Sequence, residues 1–318
     1  MREAGSHARV CYLVQSHQYP AQVVRLVRTL EASSPGALIL VGHDARNCRV
    51  TRDDLPPSPN VRLFHPPGRV ERGRLSMLSP YFQAIDLLRE RGTDYDWLVY
   101  LSGQDYPTQP LSFSEAFLAA SRHDAYLRTW EAFAPQTPWG RPNQGRTRYG
   151  FQYHQAPAAL APVLRILRAF NGVQSLAHVH LVYGPLIGLR ARRTPFGTGR
   201  TCYAGKQWLT VRRACVEYLD EQVRREPELL AYYARCICPD ESLFQTLLVN
   251  AGRFRLVDDD LRYSDFAGSR DGRPRVLGEA DFETITIPRY HFARKFDATH
   301  DERILDRLDT RIFEGARE

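Results

Sequence analysis

The first forty or so residues settle most of what this chain can fold into. Residues 9–16 are an apolar run rich in β-formers, followed by a short polar loop and by Pro20, which suits a first helical position. The next stretch places Val23, Val27 and Leu30 on one helical face, breaks at Ser34-Pro35-Gly36, and gives way to a second apolar run at residues 37–41. Strand, helix and strand at this spacing make a βαβ opening and set an α/β architecture. Gly42-His43-Asp44 then falls where the second strand ends, the edge at which open parallel sheets meet a ribose or base. No G-x-G-x-x-G and no Walker pattern is present, so neither a standard dinucleotide site nor a P-loop is expected.

Later segments continue the alternation. A proline-rich loop at residues 55–60 precedes a strand at 61–64, a helix over 75–89 with Leu78, Phe82, Ile85 and Leu88 turned inward, and a strand at 97–101. That strand runs into Ser102-Gly103-Gln104-Asp105-Tyr106-Pro107, a turn-rich segment with one acid. A short helix is expected at 113–121. Residues 134–153, rich in proline, glycine, arginine and aromatics, read as a long functional loop. Residues 158–170 read as helix and 176–189 as strand. His178 and His180 would share a face there, and with no third ligand placed nearby they read as a structural pair before a metal site. Residues 205–210 open an element that continues as helix over 211–223. Asp258-Asp259-Asp260 reads as a solvated loop. No repeat, low-complexity tract or clear linker divides the chain, which favours one unit.

Cys238-Pro239-Asp240-Glu241-Ser242 reads as the first turn of a helix reaching about Asn250, with Leu243, Phe244, Leu247 and Leu248 on its apolar face and Gly252 past its end. A carboxylate at Glu241 would be kept ionised by the helix N-terminus, which suits a general base. The plainer reading is that acids in a first turn are good helix starts. Asp105 likewise reads first as a turn former.

Composition excludes several classes. The 318 residues are 43% hydrophobic and 25% charged, an ordinary globular balance without the signature of disorder. No apolar run approaches the roughly 18 residues that cross a bilayer, and residues 1–9 lack the apolar core of a signal peptide, so the expected location is cytoplasmic. Six cysteines are sparse for a disulfide framework, and Cys236 and Cys238 form only a C-x-C without a second pair at zinc spacing. A net charge of +7 invites a nucleic-acid reading, yet no nucleic-acid module accompanies the arginines, and anionic small molecules fit as well. Nearly all the cations are arginine. The two lysines, Lys206 and Lys295, therefore mark places where a compact ammonium can matter.

Four stretches in this order, Leu101-Ser102-Gly103-Gln104-Asp105-Tyr106-Pro107, Gly205-Lys206-Gln207-Trp208, Pro239-Asp240-Glu241-Ser242-Leu243-Phe244 and Phe292-Ala293-Arg294-Lys295-Phe296-Asp297, resemble glycosyltransferase family 14. These are the core-2/I-branching β-1,6-N-acetylglucosaminyltransferases and the peptide O-xylosyltransferases. The last stretch is similar to the xylosyltransferase branch in particular. The resemblance implies a GT-A (Rossmann-like) α/β fold, with a mixed central sheet flanked by helices, in one catalytic domain over residues 1–318. About 1–110 would bind the nucleotide sugar, and about 111–318 would bind the acceptor and carry the catalytic group.

It further implies an inverting, metal-independent transferase that moves xylose or N-acetylglucosamine from a UDP-sugar to an acceptor hydroxyl. Metal-dependent nucleotide-sugar transferases carry a D-x-D pair where Asp105 stands alone, so no metal or other cofactor is expected beside the donor substrate. By resemblance Glu241 is the base, Arg294 and Lys295 hold the diphosphate with Arg273 or Arg275 adding a contact, and Asp105 touches the donor sugar. Asp44, with the strand end from Val14 to His17, would hold the uridine. The acceptor side is expected at Lys206 and Trp208 and along the aromatic loop at Trp139, Arg146, Arg148 and Tyr149. Lys206 departs from the small residue usual in the family. The membrane anchor and many cysteines of secreted members are not seen, which points to a bacterial-type enzyme acting on a saccharide, a lipid-linked intermediate or a small natural product. Nucleic acid is not an expected partner, nor is a membrane span. Two other classes stay open: a glycoside hydrolase using Glu241 with a second carboxylate, and a basic carbohydrate- or nucleic-acid-binding module without catalysis.

Overall fold

The structure, a computed structural model, describes residues 8–92, 94–139, 142–173, 175–269 and 272–314. The opening unit forms as its pattern dictates. β1 (Val10–Ser16) is buried along its whole length, α1 (Pro20–Ser33) packs on it through Val23, Leu26, Val27 and Leu30, and β2 (Leu38–His43) runs parallel to β1. β3 (Val61–Phe64) pairs with β2, and after α2 (Ser79–Glu90) β4 (Trp97–Ser102) pairs with the other side of β1, both in parallel. The short β5 (Asp105–Pro107) and α3 (Leu111–Ala120) lead to β6 (Ala125–Glu131). An outlying unit follows, made of α4 (Gln144–Tyr149), β7 (Phe151–Gln155), α5 (Ala161–Leu167), β8 (Ala177–His180) and β9 (Leu186–Arg190). β10 (Tyr203–Arg212) returns to the main sheet between β6 and β4, antiparallel to both. The remainder is α6 (Arg213–Arg225), α7 (Pro227–Tyr233), α8 (Leu243–Asn250), β11 (Leu256–Val257), β12 (Arg262–Ser264), α9 (Phe282–Ile285), β13 (Phe292–Arg294) and α10 (Arg303–Glu314).

The central sheet is mixed and seven-stranded, in the order β11-β6-β10-β4-β1-β2-β3, which is the expected helix-flanked α/β arrangement. Alternate residues of its buried strands feed two cores. Tyr12, Val14, Ile39, Trp97, Val99 and Leu101 face α1, α3 and α10, while Cys11, Leu13, Leu40, Leu98 and Tyr100 face α2, α6 and α8. Two three-stranded sheets complete the molecule, β12-β13-β5 and β7-β9-β8. The six cysteines form no disulfide. Among the described residues no helix is long and apolar enough to cross a membrane.

Several element boundaries differ from the sequence pattern, each for a local reason. The helix expected from residue 211 starts at Arg213, because Thr210, Val211 and Arg212 pair with Val99, Leu98 and Trp97 of β4. Residues 176–189 are a hairpin rather than one strand, turning at Gly184 with φ +103°. The presumed loop at 134–153 contains α4 and β7. Glu241 does not lie within α8. It ends a short 3₁₀ turn, Pro239–Glu241, which Ser242 (φ −144°, ψ −40°) separates from the helix.

Candidate active site

The C-terminal ends of β1 and β4 and the N-terminal end of β10 meet at one edge of the central sheet, and the Pro239–Glu241 turn sits over them. The turn is tied down from three directions. Ser242, fully buried, donates from Oγ to the Tyr203 carbonyl of β10 at 2.6 Å and lies 2.9 Å from the Tyr233 hydroxyl. The Tyr149 hydroxyl donates to the Cys238 carbonyl at 3.0 Å, and the Cys238 N–H donates to the Gly73 carbonyl at 3.0 Å. Cys238 itself takes φ +50°, which swings the chain sharply into the turn. Glu241 emerges partly exposed and ion-paired with Arg148, whose guanidinium stacks 4.6 Å from the Trp139 ring centroid. Burial opposes the Arg148 charge, and the Glu241 carboxylate foremost overcomes it.

Asp240, beside it, is 7% exposed, and its Oδ1 finds no hydrogen-bond partner among the described residues. Burial first and the Glu241 charge second push its pKa up to about 7, against a downward pull from Arg148 and Arg72. Beneath lies a buried polar cluster. The Tyr100 hydroxyl, kept protonated by burial, donates to Gln15 Oε1, and Gln207 Nε2 reaches the same oxygen at 2.9 Å.

A second cluster surrounds Asp105. This residue is fully buried in β5, where it accepts from Ser102 Oγ at 2.7 Å and faces Arg294 Nε at 3.4 Å and Arg262 Nε at 3.1 Å. The arginine contacts are charge contacts without hydrogen-bond alignment. The expected touch between Asp105 and a donor sugar is therefore corrected: its carboxylate is turned inward and occupied in placing two guanidiniums. Arg294 in turn lies 4.5 Å from the Trp208 ring centroid. Lys206 points away toward β12, with Nζ 3.0 Å from Asp260 and 2.9 Å from Ser264 Oγ, and burial lowers its pKa. Lys295 follows Arg294 half-buried, its carbonyl accepting from the Leu277 N–H at 2.9 Å.

A cleft of about 1070 Å³ opens beside the turn, lined by Arg46, Arg69, Arg72, Arg74 and Arg273 together with Tyr183. Gly73, between the lining residues Arg72 and Arg74, has φ +76° and lies so close to Tyr183 that a Cβ would stand 2.5 Å from the ring. Five guanidiniums against two acids, Glu71 on Arg69 and Asp44 on Arg46, leave an excess of positive charge that suits an anion. At its β2 end Asp44 is 8% exposed and held by Arg46, whose hydrogen bonds bring its pKa down despite burial. His17 stands exposed at the β1 end, near Asp44 and Arg273.

Residues 186–286 match the model of the Core-2/I-branching enzyme family. Over 256 residues the chain is 23% identical to the β-glucuronosyltransferase GlcAT14B of Arabidopsis thaliana, covering 80% of this chain and 52% of that protein. Xylosyltransferase 2 of Rattus norvegicus is 26% identical over 266 residues, covering 76% of this chain and 26% of that protein. GlcAT14A of Arabidopsis thaliana is 23% identical over 96% of this chain and 65% of its own length. The chain is similar to the Core-2/I-branching enzymes across that segment. It spans about half the length of the first of these proteins and about a quarter of the second.

The Core-2/I-branching match contains two of the four stretches behind the resemblance, those at Gly205 and at Pro239, while Leu101 and Phe292 lie outside it. The structure draws the four together through β10, β5 and β13, and it places several of the expected residues differently. Arg275 is matched by two carboxylates, Asp265 at 2.5 Å and Asp281 at 2.8 Å, so it is corrected from a diphosphate ligand to a structural cation, and only Arg273 lines the cleft. Val14 is buried in the core, leaving only its strand's end to meet a ligand. Tyr149 is fully buried as a clamp on Cys238 and offers no acceptor surface. Arg148 and Trp139 serve Glu241, and Arg146 lies over Phe133 at 5.9 Å. Sequence reasoning missed Asp240, the Gln15–Tyr100–Gln207 cluster and most of the arginine cleft. One signal was available: Arg69, Arg72 and Arg74 crowd a glycine-containing loop ahead of α2.

Proposed function

We propose that this chain is an inverting, metal-independent glycosyltransferase that moves a sugar from a UDP-sugar to an acceptor hydroxyl, with Glu241 as general base. The observation that carries the reading is Glu241 itself, ion-paired on a turn bonded to the wall of an arginine-lined cleft at the strand ends. Glu241 takes the acceptor's proton as its oxygen attacks the anomeric carbon; the new C–O bond forms on the face opposite the breaking bond to UDP, which inverts the centre. Charge gathers on the departing diphosphate. Arg273 and its neighbours in the cleft, with Lys295 and Arg294 at the β13 end, supply the compensating charge. The Asp105 carboxylate, the sole acid of its segment, already faces Arg262 and Arg294, which supports cation-only stabilisation.

The names of the relatives suggest UDP-xylose and UDP-glucuronic acid as donors to try, beside UDP-N-acetylglucosamine. The acceptor class is a saccharide, a lipid-linked intermediate or a natural product. With whichever donor turns over, Glu241→Gln is expected to lower transfer by about 10²–10⁴-fold while UDP binding, read by calorimetry, survives. Loss of both together would put Glu241 in binding rather than proton transfer. Transfer is expected to persist in EDTA; abolition by EDTA and recovery with Mn²⁺ would overturn the metal-free part.

A further inference from the structure

Between Glu131 and Glu217 the chain contains no aspartate and no glutamate. This acid-free segment builds the β7-β9-β8 sheet and α5. One face of the sheet packs on the body, where Tyr153 and Leu186 meet Ile237 and Cys238. The other face carries α5, extended at both ends by 3₁₀ turns at Ala158–Leu160 and Arg168–Gly172.

A helix lying on a sheet ordinarily buries its apolar stripe and shows polar residues to water. Here the helix buries little of its apolar surface and shows most of it to water. Leu164 is the buried side chain of α5, against Ala156, Val179 and Ile187, whereas Leu160, Val163, Ile166, Leu167, Phe170 and Val173 face outward, Ile166 at 71% and Val173 at 81% exposure. Leu176 and Leu189 continue the patch; Leu189 shares a strand face with Ile187, the side on which α5 lies. Nine of the fourteen strongly exposed large apolar side chains among the described residues fall between residues 160 and 189. That concentration is an interaction surface rather than ordinary scatter.

The cations around it lie in a segment that supplies no acid to match them. Arg25, Arg213, Arg224 and Arg275 are each matched by carboxylates. Arg165, Arg168, Arg190, Arg192 and Arg193 are exposed, and none forms an ion pair with a described residue. An apolar centre among unmatched cations is the composition that binds the interface of an anionic bilayer, apolar side chains entering the acyl boundary and guanidiniums meeting headgroups. Nucleic acid would use the cations and leave the apolar residues in water. A second copy would set arginine against arginine.

We propose that the outer face of α5 and its sheet docks this protein on an anionic lipid surface. Gln155, Val182, Tyr183 and Gly184 of the same unit line the arginine cleft, so the docking unit also forms part of the cleft wall. The inference stands independently of the reaction assigned above.

The test is flotation of the full chain with vesicles of phosphatidylcholine alone or mixed with phosphatidylglycerol. Binding is expected to the mixed vesicles, weakened by raised salt. Ile166→Asp with Phe170→Asp, and separately Arg165→Glu with Arg168→Glu, should each reduce it by roughly tenfold or more. Because all four side chains are exposed, the melting temperature should hold, which separates lost docking from lost folding. No binding to the mixed vesicles, or variants that bind like the parent, would overturn the proposal. A dimer in sedimentation that the Ile166→Asp change dissociates would assign the face to a second copy instead.

Discussion

Asp240 is buried, has no partner among the described residues for one oxygen, and adjoins a carboxylate that is ion-paired. Those conditions favour its neutral form, and their effect on stability has a definite sign. In the unfolded chain the group loses its proton near its ordinary value of about 4, whereas in the folded chain it keeps the proton to about 7. Between these values the folded state binds the extra proton, so its contribution is complete below about pH 4 and is lost as pH climbs through about 7. Asp240→Asn removes the titration. Melting temperatures across this range should fall with pH in the parent relative to the variant, and parallel curves would mean that Asp240 is ionised in the folded protein.

At the level of elements, β10 organises the site because it is not a regular strand. Gly205 pairs with Thr129 and Leu209 with Leu127, so Lys206, Gln207 and Trp208 stand opposite Arg128 alone. The bulge sends Lys206 to Asp260, Gln207 to Gln15 and Trp208 to Arg294. Gly205 permits it, since a Cβ there would lie 1.8 Å from the Arg128 carbonyl oxygen. Gly205→Ala is expected to cost about 3 kcal/mol, measurable as a shift in the urea midpoint at unchanged slope. Periodicity and turn residues made the parallel strands, α1 and α2 legible, because those elements are fixed by local pattern and burial. Lys206 and Trp208 could be marked as a motif, yet their partners could not be read, because a bulge changes where side chains point without changing composition. Arg148 shows the same limit. Its place in an arginine-rich aromatic stretch suggested an acceptor wall, and only the packing of α4 against the Pro239–Glu241 turn reveals it as the partner of Glu241.

The molecule as a whole is closed by its last helix. α10 buries Ile304, Leu305, Leu308 and Ile312 against the α1 side of the central sheet, and Asp309 receives Arg25 at 2.6 Å, Thr29 at 3.0 Å and the Tyr106 hydroxyl at 2.6 Å. Four fully buried aliphatic side chains at about 1.5–3 kcal/mol each rival the roughly 5–15 kcal/mol that holds a typical domain folded. Truncation after residue 302 should therefore abolish the cooperative thermal transition; a truncated chain that still melts cooperatively near the parental temperature would show that α10 is dispensable. The same closure bears on synthesis. The first βαβ unit and the third strand leave the ribosome by residue 64, but the core around α1 lacks its cover until Ile312 emerges. At about 5–20 residues per second, that interval is on the order of ten to fifty seconds, during which α1 waits on α10.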